Sequence, residues 1–267
     1  MDRQLLIICL LTFIIHVVGT LAYAVRIAGI RTRRIAVSFA LFNILVLISR
    51  TSNSFQGPFL AKRIESSLIA ARTSPMLSDF RWLLFAATSA TVVGAVLIPT
   101  FQRLFSAAVH HFQLHRSMPR LLMQIFTRSG LSYIRGGICM PSSQNVTRLA
   151  AGAGVSSSVV LLNVVAMSLW TLGVFASVYA GYLKPELRVT CSNLSSVVNG
   201  VATIMMFVFI DPQVSVMTDD VIEGRVTDGK FRRAITSLVG ARVAGTVLAQ
   251  FLLVPAATII TRIAEAI

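Results

Sequence analysis

Long apolar segments recur along the chain and are separated by shorter polar stretches. Because about 20 apolar residues cross the hydrocarbon core of a bilayer, six of these segments are predicted to be membrane spans. The predicted spans are Leu5–Val25, Ile35–Phe55, Trp82–Phe105, Val155–Leu183, Ser192–Ile210 and Ala234–Ile263. The pattern predicts an all-α, polytopic membrane protein with a single transmembrane domain over residues 1–267.

The composition agrees with this prediction. Of the 267 residues, 55% are hydrophobic and 13% are charged, whereas soluble domains carry about 25% charged residues. The net charge of +14 is typical of basic loops that orient helices and meet anionic lipid head groups, and no motif for binding nucleic acid is present. Cys9, Cys139 and Cys191 lie far apart, so neither a disulfide framework nor a zinc site is predicted.

The segment between the third and fourth spans is too polar to cross a membrane. Residues 111–135 alternate arginine with leucine, methionine, isoleucine and phenylalanine, which is typical of amphipathic helices that lie in the membrane interface. Residues 109–154 are therefore predicted to be a linker with interfacial helices. The distribution of basic residues among the loops favours an orientation with both termini outside.

A weak internal repeat divides the chain into two halves, residues 1–108 and 155–267. Two separations recur between like residues, 14 positions from Phe to Gly and 20 positions from Tyr to Asn. The matching pairs are Phe80/Gly94 with Phe231/Gly245, and Tyr23/Asn43 with Tyr179/Asn199. Because each half has three spans, a true repeat would be inverted in the membrane, with the site at the interface of the halves. The alternative is coincidence among small and apolar residues.

The second span runs into a polar stretch, ISRTSNSFQGPFLAKR at residues 48–63. If the helix continues through this stretch, Arg50 and Asn53 share one face, and together with Gln56 they form a candidate polar face at membrane depth. A break or kink is then expected at Gly57–Pro58. The other interpretation is that the span ends at Ser49 and that a capped loop follows.

Three further polar residues lie in or beside apolar spans. Arg242 is surrounded by small residues, and both a contact between helices and a contact with a substrate are consistent with this pattern. His16 is interpreted first as a hydrogen-bonded interhelical residue and second as a proton relay. Asp211 interrupts the fifth span. An ion pair with Arg242 or Arg50 would give each buried charge a partner of opposite sign.

Asp219 and Asp220 are adjacent carboxylates that follow the fifth span. Paired carboxylates can bind a metal or couple transport to protons, so they join Asp211 and His16 as candidates for ion coupling. The alternative is a helix cap, in which Thr218 or Asp219 starts a short helix that Gly224 ends.

The chain contains none of the common enzyme motifs. There is no HExxH, no Walker loop, no GxSxG and no dinucleotide-binding fingerprint. His110, His111 and His115 have no acidic or cysteine partners nearby. Neither a metal nor a cofactor is predicted.

Three stretches together resemble one family of membrane proteins. They are AYAVRIAGIRTRRIAVSFALFNILVLISRTSNSFQGPFLAKR at residues 22–63, FVFIDPQVSVMTDDVIEGRV at 207–226 and FRRAITSLVGARVAGTVLAQFLLVPAA at 231–257. This pattern resembles the Amj family, the alternate lipid II flippases of bacteria. The resemblance extends from the first span to the last and is weaker over residues 105–148.

The resemblance implies that the chain moves lipid II, the undecaprenyl-diphosphate-linked precursor of peptidoglycan, from the inner to the outer leaflet of the bacterial cytoplasmic membrane. Lipid II and membrane lipids are then the expected partners. The family supplies no established site residues, so the candidates follow from chemistry, because arginine binds phosphate groups with two parallel hydrogen bonds. Arg50, Asn53, Gln56 and Arg242 are expected to line a polar groove, and Arg26 and Arg34 to attract the anionic head group at the cytoplasmic face.

Three other hypotheses stay open. The chain could transport another anionic lipid or a small solute. It could be a membrane-embedded enzyme acting on polyprenyl diphosphates through Asp219 and Asp220, or a non-catalytic scaffold for cell-wall synthesis. The sequence leaves the energy source and the oligomeric state open.

Overall fold

The computed structural model describes residues 2–69, 76–115, 117, 123, 127–142 and 154–267. All secondary structure in this part of the chain is helical, which agrees with the predicted all-α fold. The helices are α1 (Arg3–Thr32), α2 (Ile35–Ile69), α3 (Met76–His115), α4 (Arg128–Gly137), α5 (Ser157–Leu183), α6 (Arg188–Ile204), α7 (Asp211–Ile222) and α8 (Asp228–Ala266). A 3-10 turn at Pro185–Leu187 precedes α6, and a π-helical segment at Met205–Ile210 joins α6 to α7.

Six helical segments are long and apolar enough to cross a membrane, as predicted, and α6 continues through α7 as one of them. Most extend beyond the predicted apolar ranges, because hydropathy marks only the lipid-facing turns and not the polar turns at the ends. The third helix reaches into the predicted linker, which was placed from residue 109, because α3 continues to His115. The amphipathic α4 lies in the predicted linker, whose residues 143–153 fall outside the described residues.

The polar stretch at residues 48–63 lies entirely within α2, so the hypothesis of a capped loop is wrong. The predicted break is also wrong, because the helix continues through Pro58 to Ile69. The hydroxyl groups of Thr51, Ser52 and Ser54 each donate to the backbone carbonyl four residues earlier, at 2.9–3.0 Å. These bonds satisfy the polar side chains within the helix, and the stretch can therefore remain helical.

The central helices are α1, α3, α5 and α8. In the first half α1 packs against α2 and α3, and in the second half α5 packs against α6 and α8, while α3 and α8 join the halves. Gly94 of α3 allows close contact with Thr20 of α1, because a Cβ there would lie 2.8 Å from the Thr20 Cβ. Gly245 of α8 does the same against α5, where a Cβ would lie 2.6 Å from the carbonyl oxygen of Val164. Gly94 and Gly245 were paired in the sequence repeat, and both allow close contact between helices of their own half. The inverted repeat itself stays a prediction.

We call the end of the bundle where α1 begins the Asp2 end, and the opposite end, where α1 turns into α2, the Arg33 end. At the Asp2 end the Arg63 guanidinium joins three helices, because it contacts Asp2 at 2.8 Å and Asp79 at 2.6 Å. A second ion pair at this end, between Lys184 and Glu265, ties α5 to α8. These contacts hold the helix ends together in both halves.

Candidate functional site

Two hydrophobic clusters fill the bundle, one towards the Arg33 end and one towards the Asp2 end. Between them lie buried polar side chains, which we call the polar layer and which extend into the first cluster at Thr20 and Asn163. At 1.5 Å per residue, His16 lies about 20 Å from the start of α1 and about 24 Å from its end, so the layer is near the middle of α1. The layer consists of Thr12, His16 and Thr20 of α1, Ser52 and Gln56 of α2, Thr91 of α3, Asn163, Ser168 and Thr171 of α5, and Arg242 and Thr246 of α8.

Several side chains at this level satisfy one another and hold the helices together. The Gln56 amide donates to the Thr12 hydroxyl at 2.6 Å, which ties α2 to α1. The Gln250 amide donates to the Thr88 hydroxyl at 3.2 Å, which ties α8 to α3. Gln56 was predicted to lie on a polar face at membrane depth. The structure buries it there, with a structural partner on α1.

Arg242 is buried in the polar layer, with only 7% of its surface exposed. Its guanidinium lies against Gly19 of α1, where a side chain would occupy the same space. Within the described residues the guanidinium forms no hydrogen bond and no ion pair, whereas Arg26, Arg63 and Arg225 each contact a carboxylate. The chain therefore holds a permanent positive charge, without a counter-ion from its described part, between the two halves.

Four buried polar atoms in the polar layer lack partners in the described part of the chain. They are Nδ1 of His16, Oδ1 of Asn163, Oγ of Ser168 and Nε of Arg242 itself. His16 lies one helical turn from Gly19 on the same face of α1, so it lies near the Arg242 guanidinium that packs against Gly19. Within the described residues no neighbour bonds to Nδ1 of His16, and both interpretations of His16, an interhelical residue and a proton relay, stay predictions.

Asp211 does not pair with Arg242 or Arg50, and that prediction is wrong. The π-helical segment that precedes α7 leaves Asp211 beside α1, where it accepts a hydrogen bond from Arg26 at 2.9 Å. The Arg26 guanidinium also lies over the Phe39 ring, 5.4 Å from its centroid. Arg26 is therefore engaged in a contact between α1 and α7.

Asp219 and Asp220 lie in the last turns of α7 rather than at the start of a helix, so the predicted cap is wrong. The helix already begins at Asp211, because the residues before it are helical as well. Asp220 accepts a hydrogen bond from Arg225 at 2.8 Å. Gly224 adopts a positive φ of 77° and follows the end of the helix, as predicted. No group of three metal-ligating side chains occurs among the residues that the structure describes.

Arg50 and Asn53 are exposed on the surface of α2. Ser52 and Gln56 are buried against α1, and Arg50 lies about 200° around the helix from Ser52. Arg50 therefore points away from α1 and from the polar layer, although it lies at a similar depth. The structure does not bring Arg50 and Arg242 together.

Arg34 lies at the Arg33 end, where α2 begins. With Val37, Phe112 and Gln113 it lines a pocket of about 450 Å³ between the start of α2 and the end of α3. The predicted substrate-binding residues thus occupy three places, the polar layer, the surface of α2 and the Arg33 end.

Sequence reasoning missed three residues of the Arg242 site, Gly19, Asn163 and Tyr23, whose hydroxyl lies near both Arg242 and Asn163. Asn163 is 1% exposed, and its amide donates to the Leu238 carbonyl at 2.9 Å, one turn before Arg242. A single amide inside a long apolar segment could have indicated a buried polar contact. Nothing in the local sequence distinguishes Gly19 from other small residues of α1.

Two comparisons with known proteins agree on one family. The family model named Amj, described as "Alternate to MurJ", matches residues 11–264. A protein of Bacillus subtilis (strain 168) named "Lipid II flippase Amj" is 35% identical to the chain over 261 residues, which cover 95% of this chain and 94% of that protein. No solved structure matches the chain.

Proposed function

Since the chain belongs to the Amj family, we propose that it moves lipid II from the inner to the outer leaflet of the bacterial cytoplasmic membrane and that the diphosphate of lipid II binds Arg242. The predicted family is confirmed. The Bacillus subtilis relative is named a flippase, which supports a transporter rather than an enzyme. The head group of lipid II is polar and anionic, so it needs a polar path through the hydrocarbon region.

The unpaired guanidinium of Arg242 is the observation that carries this proposal. An arginine at the centre of a membrane helix costs about 2.5–3.5 kcal/mol to insert, and a structural arginine would be expected to have a carboxylate partner. Arg242 has none in the described part of the chain. A diphosphate would supply the missing negative charge and could accept two parallel hydrogen bonds from the planar guanidinium.

The packing of the peripheral helices supports a route for the substrate. α2 packs chiefly against α1, and α6 packs chiefly against α5, so most of the surface of both helices faces out of the bundle. We infer that movement of these helices admits the head group to the polar layer while the polyprenyl tail stays in lipid. Arg34 would meet the head group first at the Arg33 end, and Arg50 and Asn53 would contact it along α2.

The substitution Arg242→Met tests the central claim, because methionine keeps the length of the side chain and removes its charge. We expect the variant not to support growth of cells that lack other lipid II flippases. We also expect it to accumulate normally and to unfold at a higher temperature, since removing an uncompensated buried charge relieves about 2–3 kcal/mol of cost. Lipid II that becomes accessible in the outer leaflet is the direct readout.

Arg262→Met is a matched control, because Arg262 lies on the same helix but is exposed at the Asp2 end. It should leave growth and lipid II accessibility unchanged. Normal transport by Arg242→Met would contradict the proposed site. Arg50→Ala separately tests the route along α2, and normal transport by that variant would remove Arg50 from the mechanism.

A further inference from the structure

We propose that the polar layer also recognises the sugar attached to the diphosphate, with Asn163 and His16 as the residues that determine specificity. This inference rests on the proposed function, because it concerns the same site. It adds that the protein distinguishes a glycosylated lipid diphosphate from the bare polyprenyl diphosphate. The polar atoms left without partners on both sides of Arg242 carry the argument.

Asn163 presents a hydrogen-bond acceptor on the α5 side of the site. Its amide nitrogen is held by the Leu238 carbonyl at 2.9 Å, and this bond fixes the orientation of the side chain. Its Oδ1 is then buried and accepts no hydrogen bond within the described residues, although the Tyr23 hydroxyl of α1 lies close to the same amide group. An anionic phosphate oxygen cannot satisfy this atom, because two acceptors repel each other. A hydroxyl or amide N–H of a ligand can satisfy it.

His16 presents a second buried atom on the α1 side. Only 6% of the residue is exposed, and its Nδ1 has no partner in the described part of the chain. A neutral imidazole has one donor and one acceptor nitrogen, so it can pair with a hydroxyl group in either tautomer. The buried residues of α2, α3 and α5 at this level include no acid or base, and Arg242 is the nearby charge.

The complementary ligand must therefore offer both acceptors and donors. Diphosphate oxygens suit Arg242, and the hydroxyl and acetamido groups of an adjacent sugar suit Asn163 and His16. A bare polyprenyl diphosphate has anionic oxygens but no sugar donors, so it would leave Oδ1 of Asn163 buried and unpaired. Unpaired buried polar groups are a strong basis for discrimination between ligands.

Binding to the purified full-length chain in lipid nanodiscs tests the inference. The probes are lipid II and undecaprenyl diphosphate, which share the tail and the diphosphate. We expect at least about tenfold tighter binding of lipid II, which corresponds to about 1.4 kcal/mol. In His16→Leu and Asn163→Val the preference should decrease because lipid II binds more weakly, while the affinity for undecaprenyl diphosphate stays the same.

Asn199→Val is the matched control. Asn199 also has an Oδ1 without a partner in the described residues, but it packs against Gly173, ten residues along α5 from Asn163. This variant should keep the full preference. His16→Leu is expected to fold, since it removes a buried nitrogen that has no partner among the described residues. The comparison of the two probes on the wild type tests the inference even if a variant does not fold.

Equal affinity of the wild type for the two probes would overturn the inference, and so would an unchanged preference in both site variants. Either result can be told apart from failure of the proposed function. That function fails if Arg242→Met binds and moves lipid II normally, whatever the preference between the two probes.

Discussion

Gly19→Ala tests how precisely the Arg242 guanidinium must be placed. The added Cβ would lie against Nη2 of Arg242, 3.3 Å from Cζ and 3.9 Å from Nη1. Because carbon atoms prefer separations of about 3.5–4.0 Å, the guanidinium must move by about 1 Å. It is the flexible end of a long side chain, so the guanidinium and not the backbone should move.

The expected result is a loss of transport with little change in stability. A displacement of about 1 Å in a group that positions a substrate can cost about 100-fold in rate. In the opposite direction, alanine is about 1 kcal/mol more favourable than glycine within a helix, which offsets part of the crowding. We therefore expect about 100-fold slower appearance of lipid II in the outer leaflet and a change in unfolding free energy of about 1 kcal/mol or less.

Gly240→Ala is the control for this experiment. Gly240 lies on α8 with nothing within 4 Å of an added Cβ, so this change should stabilise the protein slightly and leave transport unaffected. The assay compares both variants by lipid II accessibility in cells lacking other flippases and by thermal unfolding in detergent. Wild-type transport by Gly19→Ala would refute the claim that the position of Arg242 matters. Equal losses in both variants would show that the effect is not specific to the guanidinium.

Two further predictions concern packing and charge. Gly245→Ala should behave differently from Gly19→Ala, with lower accumulation and a free energy of unfolding that is lower by about 1–3 kcal/mol. The reason is that the added Cβ would meet a backbone carbonyl at 2.6 Å that cannot move aside. Normal stability in thermal unfolding would contradict this prediction. Arg26→Asp should lower stability by about 1 kcal/mol, because it places a second carboxylate beside Asp211. Adding Asp211→Arg should restore the stability by reversing the ion pair. Unchanged stability in Arg26→Asp would show that the pair contributes nothing.

Much of the fold could be predicted from the sequence because lipid imposes a simple rule on the chain. Backbone polar groups in hydrocarbon must be paired internally, so long apolar segments are helices, and six were correctly identified. The exact ends were harder to predict, since polar turns such as those around Thr51 and Ser54 can continue a helix when their hydroxyls bond to its own carbonyls.

The candidate site was predictable only in part. Arg242 was recognisable because a charge inside an apolar segment is costly and therefore informative. Its surroundings were not recognisable, because Gly19, His16 and Asn163 come from helices that are far apart in the chain. Asp211 shows the same limit, since its partner proved to be Arg26 on α1 rather than the arginine expected on α8 or α2.

Hydropathy and motif identity are properties of local segments, so they were enough to identify a helical membrane protein of the Amj family with a charged residue deep in its last span. They could not show which charges are paired, because that depends on contacts between helices. Pairing depends on the rotation and depth at which each helix meets its neighbours, and those are set by close contacts such as Gly19 on Arg242 and Gly245 on α5. For that reason Arg26 has a carboxylate partner, while Arg242 lies between the halves with its charge unpaired in the described chain.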